Sequence, residues 1–278
     1  MPDSKPFSRR AIGYVKSFGI LYAIVLAIFV FGESYMIYPG LLRTQVSVDD
    51  SDPKLNFVDI ETADNETIRG LVYKPENPRG VVILCHGNGD LVCFMPNEIK
   101  AMAQRFNVEV VTFDYRGYGN SEGFPTAGRL YRDGQAVYDY VTQSGYAPSE
   151  IFVYGRSLGG AVGVHIAEEN EIAGLIIRSS FSSMADLAQS KFFFLPVKFF
   201  IRNRFPSAKK IANYKGPLLQ RHGDRDLAIP IRFGKELHEA ATGALEKEFF
   251  IDQGAGHNGP NSELFWRKFG EFIDRNLQ

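Results

Sequence analysis

Three residue types that can together activate a hydroxyl group occur in separate glycine-containing segments of the chain. Ser157 lies in G-R-S-L-G, His257 lies in G-A-G-H-N-G, and Asp226 lies between them in H-G-D-R-D-L, with Asp224 as a nearby rival. A serine becomes a nucleophile when a base removes its proton, and the base needs an acid to orient it and stabilise its charge. The residue types and their order predict a triad of Ser157, His257 and Asp226, with Asp224 as the alternative acid.

The sequence around Ser157 predicts the turn that such a nucleophile needs. Residues 151–154 form an apolar run typical of a strand, and the alanine- and glycine-rich run from Leu158 onward is typical of a helix. A serine on a sharp strand-to-helix turn is held out at the carboxyl edge of the sheet, near the positive end of the helix. The backbone amides of residues 86–89, after the apolar run 81–85, and the amide of Leu158 are predicted to form an oxyanion hole there.

Short apolar runs alternate with helical patterns along most of the chain. The predicted strands are 57–62, 67–73, 81–85, 108–113, 151–154, 174–177, 218–220 and 249–251. The predicted helices are 97–105, 129–143, 158–168 and 262–276. This alternation predicts an α/β fold with a mostly parallel central sheet, an antiparallel pair at its start and helices on both faces.

One segment, at about 180–215, interrupts this alternation. It is rich in phenylalanine, lysine and arginine and contains Pro196 and Pro206. Because it is too long for a simple crossover, we expect a small helical lid over one end of the sheet. Three uses of its aromatic side chains are open: lining an acyl-chain pocket, touching a bilayer, or packing the lid onto the domain.

The N-terminal region predicts a membrane anchor. Residues 17–32 carry no charge, Lys5, Arg9, Arg10 and Lys16 precede them, and Glu33 follows. An apolar run of this length approaches the roughly 20 residues of a bilayer span. The positive-inside bias predicts a cytoplasmic N-terminus and a catalytic domain on the other side, with Tyr35 and Tyr38 at the far interface. A cleaved signal peptide, which would leave a secreted protein, and a buried core helix are the alternatives.

These patterns give a domain organisation. We expect an anchor at 1–40, spanning about 17–38, a hydrated connector at 41–54, and a catalytic domain at 55–278 with the lid inserted at about 180–215. The net charge of −1 argues against a nucleic-acid partner. Cys85 and Cys93 are expected to be unpaired, with a single bridge as the alternative in an oxidising compartment. No spacing of histidine, cysteine and carboxylate side chains predicts a metal site, and no cofactor is expected.

Several motifs together resemble the α/β-hydrolase superfamily, in its branch of membrane-anchored, prolyl-oligopeptidase-like serine hydrolases that includes protein depalmitoylases. The motifs are H-G-N-G, F-D-Y-R-G-Y-G-N-S-E-G, G-R-S-L-G-G, H-G-D-R-D-L-A-I-P and G-A-G-H-N. The resemblance runs from about Leu55 to the C-terminus and implies that Asp226 is the acid and that the amide of Asn88 joins that of Leu158 in the oxyanion hole. One departure is Arg178, where the branch often has an acidic residue.

The combined prediction is a membrane-anchored serine hydrolase. The membrane segment and the phenylalanine-rich lid favour an ester or thioester of an acyl group, on a small molecule or an acylated protein. A peptidase acting on short peptides is the alternative with the same fold. A non-catalytic binding protein that uses a hydrolase fold is the alternative from another class.

Overall fold

A single mixed sheet organises the protein. A computed structural model describes residues 9–48 and 51–277, without the side chains of Arg9 and Arg10. Lys5, predicted as a positive charge before the anchor, and residues 49 and 50 of the predicted connector lie outside the described residues. In this part of the chain the strands are β1 Leu55–Glu61, β2 Thr67–Tyr73, β3 Val81–Cys85, β4 Glu109–Phe113, β5 Ile151–Arg156, β6 Gly174–Arg178, β7 Leu218–Gly223 and β8 Lys247–Asp252. They lie in the order β1-β2-β4-β3-β5-β6-β7-β8.

The direction of the strands agrees with the sequence prediction. β1 pairs antiparallel with β2, and β2 pairs antiparallel with β4. The other neighbouring strands, from β4 to β8, pair in parallel. The carboxyl ends of the parallel strands therefore meet at one edge, where the loops that carry the predicted site residues also lie.

Helices cover both faces of the sheet. The described helices are α1 Arg9–Ile37, α2 Pro96–Phe106, α3 Ala127–Gln143, α4 Leu158–Glu169, α5 Met184–Lys191, α6 Val197–Phe200, α7 Ser207–Ile211, α8 Ile231–Ala240 and α9 Glu263–Asn276. Successive residues of a strand point to opposite faces, so Ile83 of β3 packs in the cluster that contains buried residues of α3, α4 and α8. Val82 and Leu84 pack in a second cluster with α2 and α9.

A buried arginine ties the β1–β2 turn to the body of the fold. The guanidinium of Arg116 is fully buried and donates to Asp133 at 2.8 Å and to both carboxylate oxygens of Asp64 at 2.8 and 3.0 Å. A buried charge is tolerated when it is paired and hydrogen-bonded, as it is here. The arginine of the F-D-Y-R-G-Y-G motif therefore connects three segments of the fold.

The segment at about 180–215 contains three short helices, α5, α6 and α7. Pro196 and Pro206 stand directly before α6 and α7, the places where a proline is tolerated because no helical amide is lost. α5 and α6 pack on each other, α6 also touches α1, and α7 packs on α4 and α8. We keep the name lid for residues 180–215.

The apolar helix α1 is long and apolar enough to span a membrane by length and composition, and its apolar window is not buried inside the protein. Its last turns nevertheless pack on the domain: Glu33, Ile37 and Tyr38 are buried. Of the two tyrosines predicted at the far interface, Tyr35 is exposed, whereas the ring of Tyr38 lies in the core and its hydroxyl donates to Asn203 of the lid at 2.9 Å. Part of the predicted anchor therefore contributes to the packed core, although the sequence predicted that the folded domain begins only at Leu55.

Candidate active site

Ser157 lies on a strained turn between β5 and α4. Its φ of 54° and ψ of −117° place a non-glycine residue in a region that L-residues avoid. The turn is held by the amide of Ser157, which donates to the carbonyl of Arg178 at 2.9 Å, and by the hydroxyl of Ser180, which donates to the carbonyl of Ser157 at 2.8 Å. These bonds from the end of β6 fix a conformation that the residue alone would not adopt.

The two glycines around Ser157 are required by close backbone contacts. A Cβ at Gly155 would lie 2.5 Å from the carbonyl oxygen of Gly159, and a Cβ at Gly159 would lie 2.0 Å from the carbonyl oxygen of Cys85. Both distances are far below van der Waals contact. The two glycines of the G-x-S-x-G pattern are therefore required because β3, β5 and α4 approach one another closely at the turn.

The structure brings the three predicted triad residues together. The Oγ of Ser157 lies 3.0 Å from Nε2 of His257, and Nδ1 of His257 lies 2.7 Å from Oδ2 of Asp226. A carboxylate only accepts, so Nδ1 carries the proton and Nε2 is free to accept the serine proton. Asp226 follows β7 and His257 follows β8, so adjacent strands position them.

The surroundings of Asp226 favour its charged form. Burial by itself raises the pKa of Asp226, but hydrogen bonds from His257 and from the amide of Ile229, the latter at 2.8 Å, outweigh it and hold the pKa below the usual value. The rival Asp224 is exposed and accepts from the amide of Gly254 at 2.6 Å. Of the two aspartates, Asp226 is the one that contacts the histidine.

The loop that was predicted to supply oxyanion amides lies beside Ser157. Gly87 and Asn88 line the same cavity as Ser157 and Leu158. The carbonyl of Asn88 accepts from the hydroxyl of Tyr118 at 3.0 Å and from the amide of Gly40 at 3.2 Å. Its side-chain amide donates to the carbonyl of Ile37 at 3.1 Å. The loop is thus fastened to the C-terminal end of α1, which the sequence did not indicate.

These residues open onto a cavity of about 920 Å³, a size typical of ligand sites. One end is polar and contains Ser157 and His257. The other end is mostly apolar and is formed by α1 and the lid, including Leu26, Phe29 and Met184.

Three charged side chains that line the cavity are paired with one another. Arg156 donates to Asp90 at 2.7 Å and to Glu98 at 3.3 Å, and all three residues line the cavity. Arg178, the departure from the expected acidic residue, is buried and donates to the carbonyl of Gly259, two residues after His257, at 2.5 Å. Arg178 therefore joins the end of β6 to the histidine loop.

The remaining expectations concern the two cysteines and the metal ligands. Cys85 and Cys93 are free and buried, and burial raises the pKa of the Cys85 thiol. Among the described residues, one group could hold a metal by distance: His165, Glu168 and Glu169. The ammonium of Lys210 lies between its members, 2.5 Å from Glu168 and 3.1 Å from His165. This cation already occupies the place of a metal ion.

Two kinds of cavity residue were missed from the sequence. The cavity-lining side chains of α1 belong to a helix that is apolar on every side, so no periodicity separates the lining face from the exposed face. The role of Arg178 depends on a carbonyl far along the chain, which leaves no local signal. Two indications were present in the sequence: its place at the end of a buried strand and its departure from the acidic residue that the resembled branch often has.

Comparisons with known proteins agree with this fold. A family model described as serine aminopeptidase, S33, matches residues 76–209. An uncharacterized protein of Mycobacterium tuberculosis is 33% identical over 206 residues, 72% of this chain and 72% of its own. The alpha/beta hydrolase domain-containing protein WAV2 of Arabidopsis thaliana is 26% identical over 283 residues, 92% of both chains. The structure of an esterase from Pyrococcus furiosus is similar with a TM-score of 0.68 and 20% identity, over 84% of this chain and 97% of that one. The expected fold class is confirmed.

Proposed function

The chain belongs to the α/β-hydrolase superfamily and is a hydrolase, and on that premise we propose that it is a serine hydrolase that cleaves ester or thioester bonds of acyl substrates. One observation carries the proposal. Ser157, on its strained turn, lies within hydrogen-bond distance of His257, which in turn contacts the buried carboxylate of Asp226. Nucleophile, base and acid in this order form the arrangement that activates a hydroxyl.

The proposed reaction proceeds in two halves. The Oγ of Ser157 attacks the acyl carbon while Nε2 of His257 takes its proton, and Asp226 stabilises the imidazolium. The oxyanion accepts hydrogen bonds from the amides of Asn88 and Leu158. His257 then donates the proton to the leaving alcohol or thiol. Water attacks the acyl-enzyme with His257 again as base, which releases the acid and restores the serine.

The apolar end of the cavity supports an acyl substrate. Side chains of α1 and of the lid, among them Phe29, Leu187 and Phe192, surround it. Burying an acyl chain there is favourable by about 0.8 kcal/mol per methylene group. The substrate is a small acyl ester or thioester, or an acylated protein that presents its acyl chain to this end.

The location that we propose follows from α1. The helix anchors the protein in a membrane as a single span, with the N-terminus in the cytoplasm and the catalytic domain on the other side. The positive charge of Lys16 precedes the apolar stretch, and the structure describes this lysine, including its side chain, within α1. Protection of the catalytic domain from protease added to the cytoplasmic face would support this orientation, and cleavage there would contradict it.

A peptidase is the second candidate, because the matching family model is described as a serine aminopeptidase. Such an enzyme needs a free carboxylate to bind the amino group of a peptide. Asp90 and Glu98 line the cavity, but both are paired with Arg156. This pairing favours the esterase over the peptidase.

A labelling experiment tests the proposal directly. The full chain in a membrane fraction is treated with a fluorophosphonate, which reacts with activated serines, beside the Ser157→Ala and His257→Ala variants. We expect labelling of the unmodified chain alone. Ester hydrolysis that rises with acyl length would support the acyl substrate, and faster cleavage of aminoacyl amides than of any ester would favour the peptidase. An unmodified chain that neither labels nor hydrolyses either substrate would overturn both.

A further inference from the structure

The helix α1 forms one wall of the catalytic cavity. Leu26, Phe29 and Val30 line the cavity from α1, at positions three and four residues apart that lie on one helix face. The opposite face is exposed: Ile28 is 65% and Phe31 is 79% accessible. The same helix that is apolar enough to span a bilayer therefore faces the active site along one side.

Contacts between α1 and the lid fix the lid at the depth of the apolar helix. The hydroxyl of Tyr22 donates to the carbonyl of Phe194 at 3.1 Å, and the rings of Phe29 and Phe192 lie 4.1 Å apart. Tyr22 and Phe29 lie within the uncharged run 17–32, which must lie in the hydrocarbon if α1 spans a membrane. Phe192 and Phe194 then lie at the same depth.

The outer surface of the lid is suited to that environment. Phe193 is 80% exposed and Phe199 is 81% exposed, beside the partly exposed Phe194 and Phe200. Exposed apolar residues grouped in this way mark contact with a membrane or a partner. Because α1 lies against the same segment, the bilayer is the surface that covers them.

A buried carboxylate fastens α1 to the lid. Glu33 accepts from the amide of Asn203 at 2.7 Å, from its side-chain amide at 2.8 Å, and from the amide of Arg202 at 3.1 Å. Glu33 as a whole is 5% exposed, and hydrogen bonds to a charged acceptor are stronger than neutral ones. This attachment holds the wall formed by α1 in place beside the lid.

We propose that the acyl chain of a membrane lipid ester or thioester reaches Ser157 from within the bilayer, through the cavity between α1 and the lid, with Leu26, Phe29 and Val30 as the wall that sets acyl length. This proposal rests on the proposed hydrolase function. It identifies the substrate class as a lipid that remains in the membrane while its carbonyl reaches the triad. It also makes α1 a specificity element as well as an anchor.

The first experiment narrows the wall. Leu26→Trp is compared with Ile28→Trp, a matched substitution on the exposed face of the same helix, using 4-nitrophenyl butyrate and 4-nitrophenyl palmitate with the full chain in vesicles. We expect Leu26→Trp to lower kcat/KM for the palmitate by about tenfold or more and that for the butyrate by much less, because added bulk fills the channel. Ile28→Trp should change neither. Equal behaviour of the two variants, or equal loss on both esters, would overturn the proposal.

The second experiment does not depend on turnover. Ser157→Ala protein is placed in phosphatidylcholine vesicles that contain a phosphatidylcholine with a diazirine midway along its acyl chain, and cross-linked residues are mapped. Labelling of Leu26, Phe29 or Met184 is expected, since a chain inside the cavity reaches them. Labelling confined to exposed positions such as Ile28 and Phe31 would overturn the route. If the unmodified chain hydrolyses no ester of any length, the proposed function fails, while this map still decides whether acyl chains enter the cavity.

Discussion

Among the carboxylate–imidazole pairs that the structure describes, two combine groups from neighbouring strands at the carboxyl edge of the sheet, and only one of these two is joined by a hydrogen bond. In the first, Asp226 after β7 lies 2.7 Å from His257 after β8. In the second, Asp114 after β4 lies 3.7 Å from His86 after β3, both fully buried. The residue types are identical, so the difference in role comes from hydrogen bonds and access.

The hydrogen bonds of the two carboxylates differ. Both oxygens of Asp226 have donors, from Ile229 and His257, and its pKa is lowered despite burial. Asp114 accepts from the amide of Val92 at 2.9 Å, while its other oxygen has no partner among the described residues. Burial therefore raises the pKa of Asp114 to about 7, with the Val92 amide opposing it.

The two imidazoles differ in the same way. Nδ1 of His86 lies 2.7 Å from the carbonyl of Gly87, and Nε2 has no hydrogen-bond partner among the described residues. Burial lowers the pKa of His86 and keeps the ring neutral. His257, in contrast, lines the cavity and contacts Ser157. A histidine beside an aspartate is thus a base only where a nucleophile and a substrate can reach it.

Removing the imidazole of the first pair should have the largest effect. We expect His257→Ala to lower kcat for a short ester by about 10⁴- to 10⁶-fold, because the serine then has no base. The control is His238→Gln, a change in α8 at a residue that is not among those lining the cavity, and it should retain activity. Steady-state rates of the two purified full chains decide the matter. Comparable losses in both would remove the first pair from catalysis.

Neutralising the acid should have the next largest effect. Asp226→Asn keeps the shape of the side chain but no longer stabilises a positive imidazole or its correct tautomer, so we expect a loss of about 10⁴-fold in kcat. The matched change is Asp224→Asn, which keeps an acceptor for the amide of Gly254 and should leave kcat within a few fold. If Asp224→Asn were the damaging change, the acid would be assigned to the wrong aspartate.

Much of this arrangement could be predicted because buried parallel strands are continuous apolar runs. The sequence predicted β3 at residues 81–85, the same bounds that the structure has. Ser157, Asp226 and His257 were found because each follows a predicted strand. β7 was predicted to end at 220 but continues to Gly223. Buried Arg221 and His222 interrupt the apolar pattern, and their burial is tolerated because Arg221 donates to Asp252 at 2.7 Å and Nε2 of His222 lies 2.8 Å from the carbonyl of Ile229.

The contribution of α1 could not be predicted by pattern. A helix that packs against a phenylalanine-rich lid on one side and exposes apolar residues on the other has apolar residues around its whole circumference. The two exceptions, Glu33 and Tyr38, resembled residues of a membrane boundary because their partner Asn203 lies in a distant segment. Only the tertiary contact distinguishes a buried acceptor from a flanking charge.

Removing the bond between Arg178 and the loop that carries His257 should have a smaller effect on activity. Arg178→Gln removes the bond to the carbonyl of Gly259, and we expect kcat/KM to fall by about tenfold, the equivalent of one charged hydrogen bond. Because the role is positioning, Arg178→Lys should recover part of the loss, mainly in kcat. A uniform fall in thermal stability with unchanged kinetics would assign Arg178 to folding alone.

The second pair should affect stability rather than rate. A carboxyl group whose folded pKa is raised stabilises the fold fully below its unfolded value of about 4, and this contribution is lost as pH rises through about 7. Asp114→Asn keeps the acceptor for Val92 but cannot ionise, so the variant should gain stability relative to the unmodified chain, by up to about 1.4 kcal/mol per pH unit in this window.

The contribution of Asp226 to stability has the opposite sign, because its lowered pKa stabilises the fold above the unfolded pKa and this contribution is lost only in acid. Thermal midpoints of the full chain in detergent at about pH 5 and about pH 8 should therefore diverge for Asp114→Asn by a few degrees, with activity within about twofold. Parallel midpoints would mean that Asp114 is already charged in the fold, and the contrast between the two pairs would then lie in access alone.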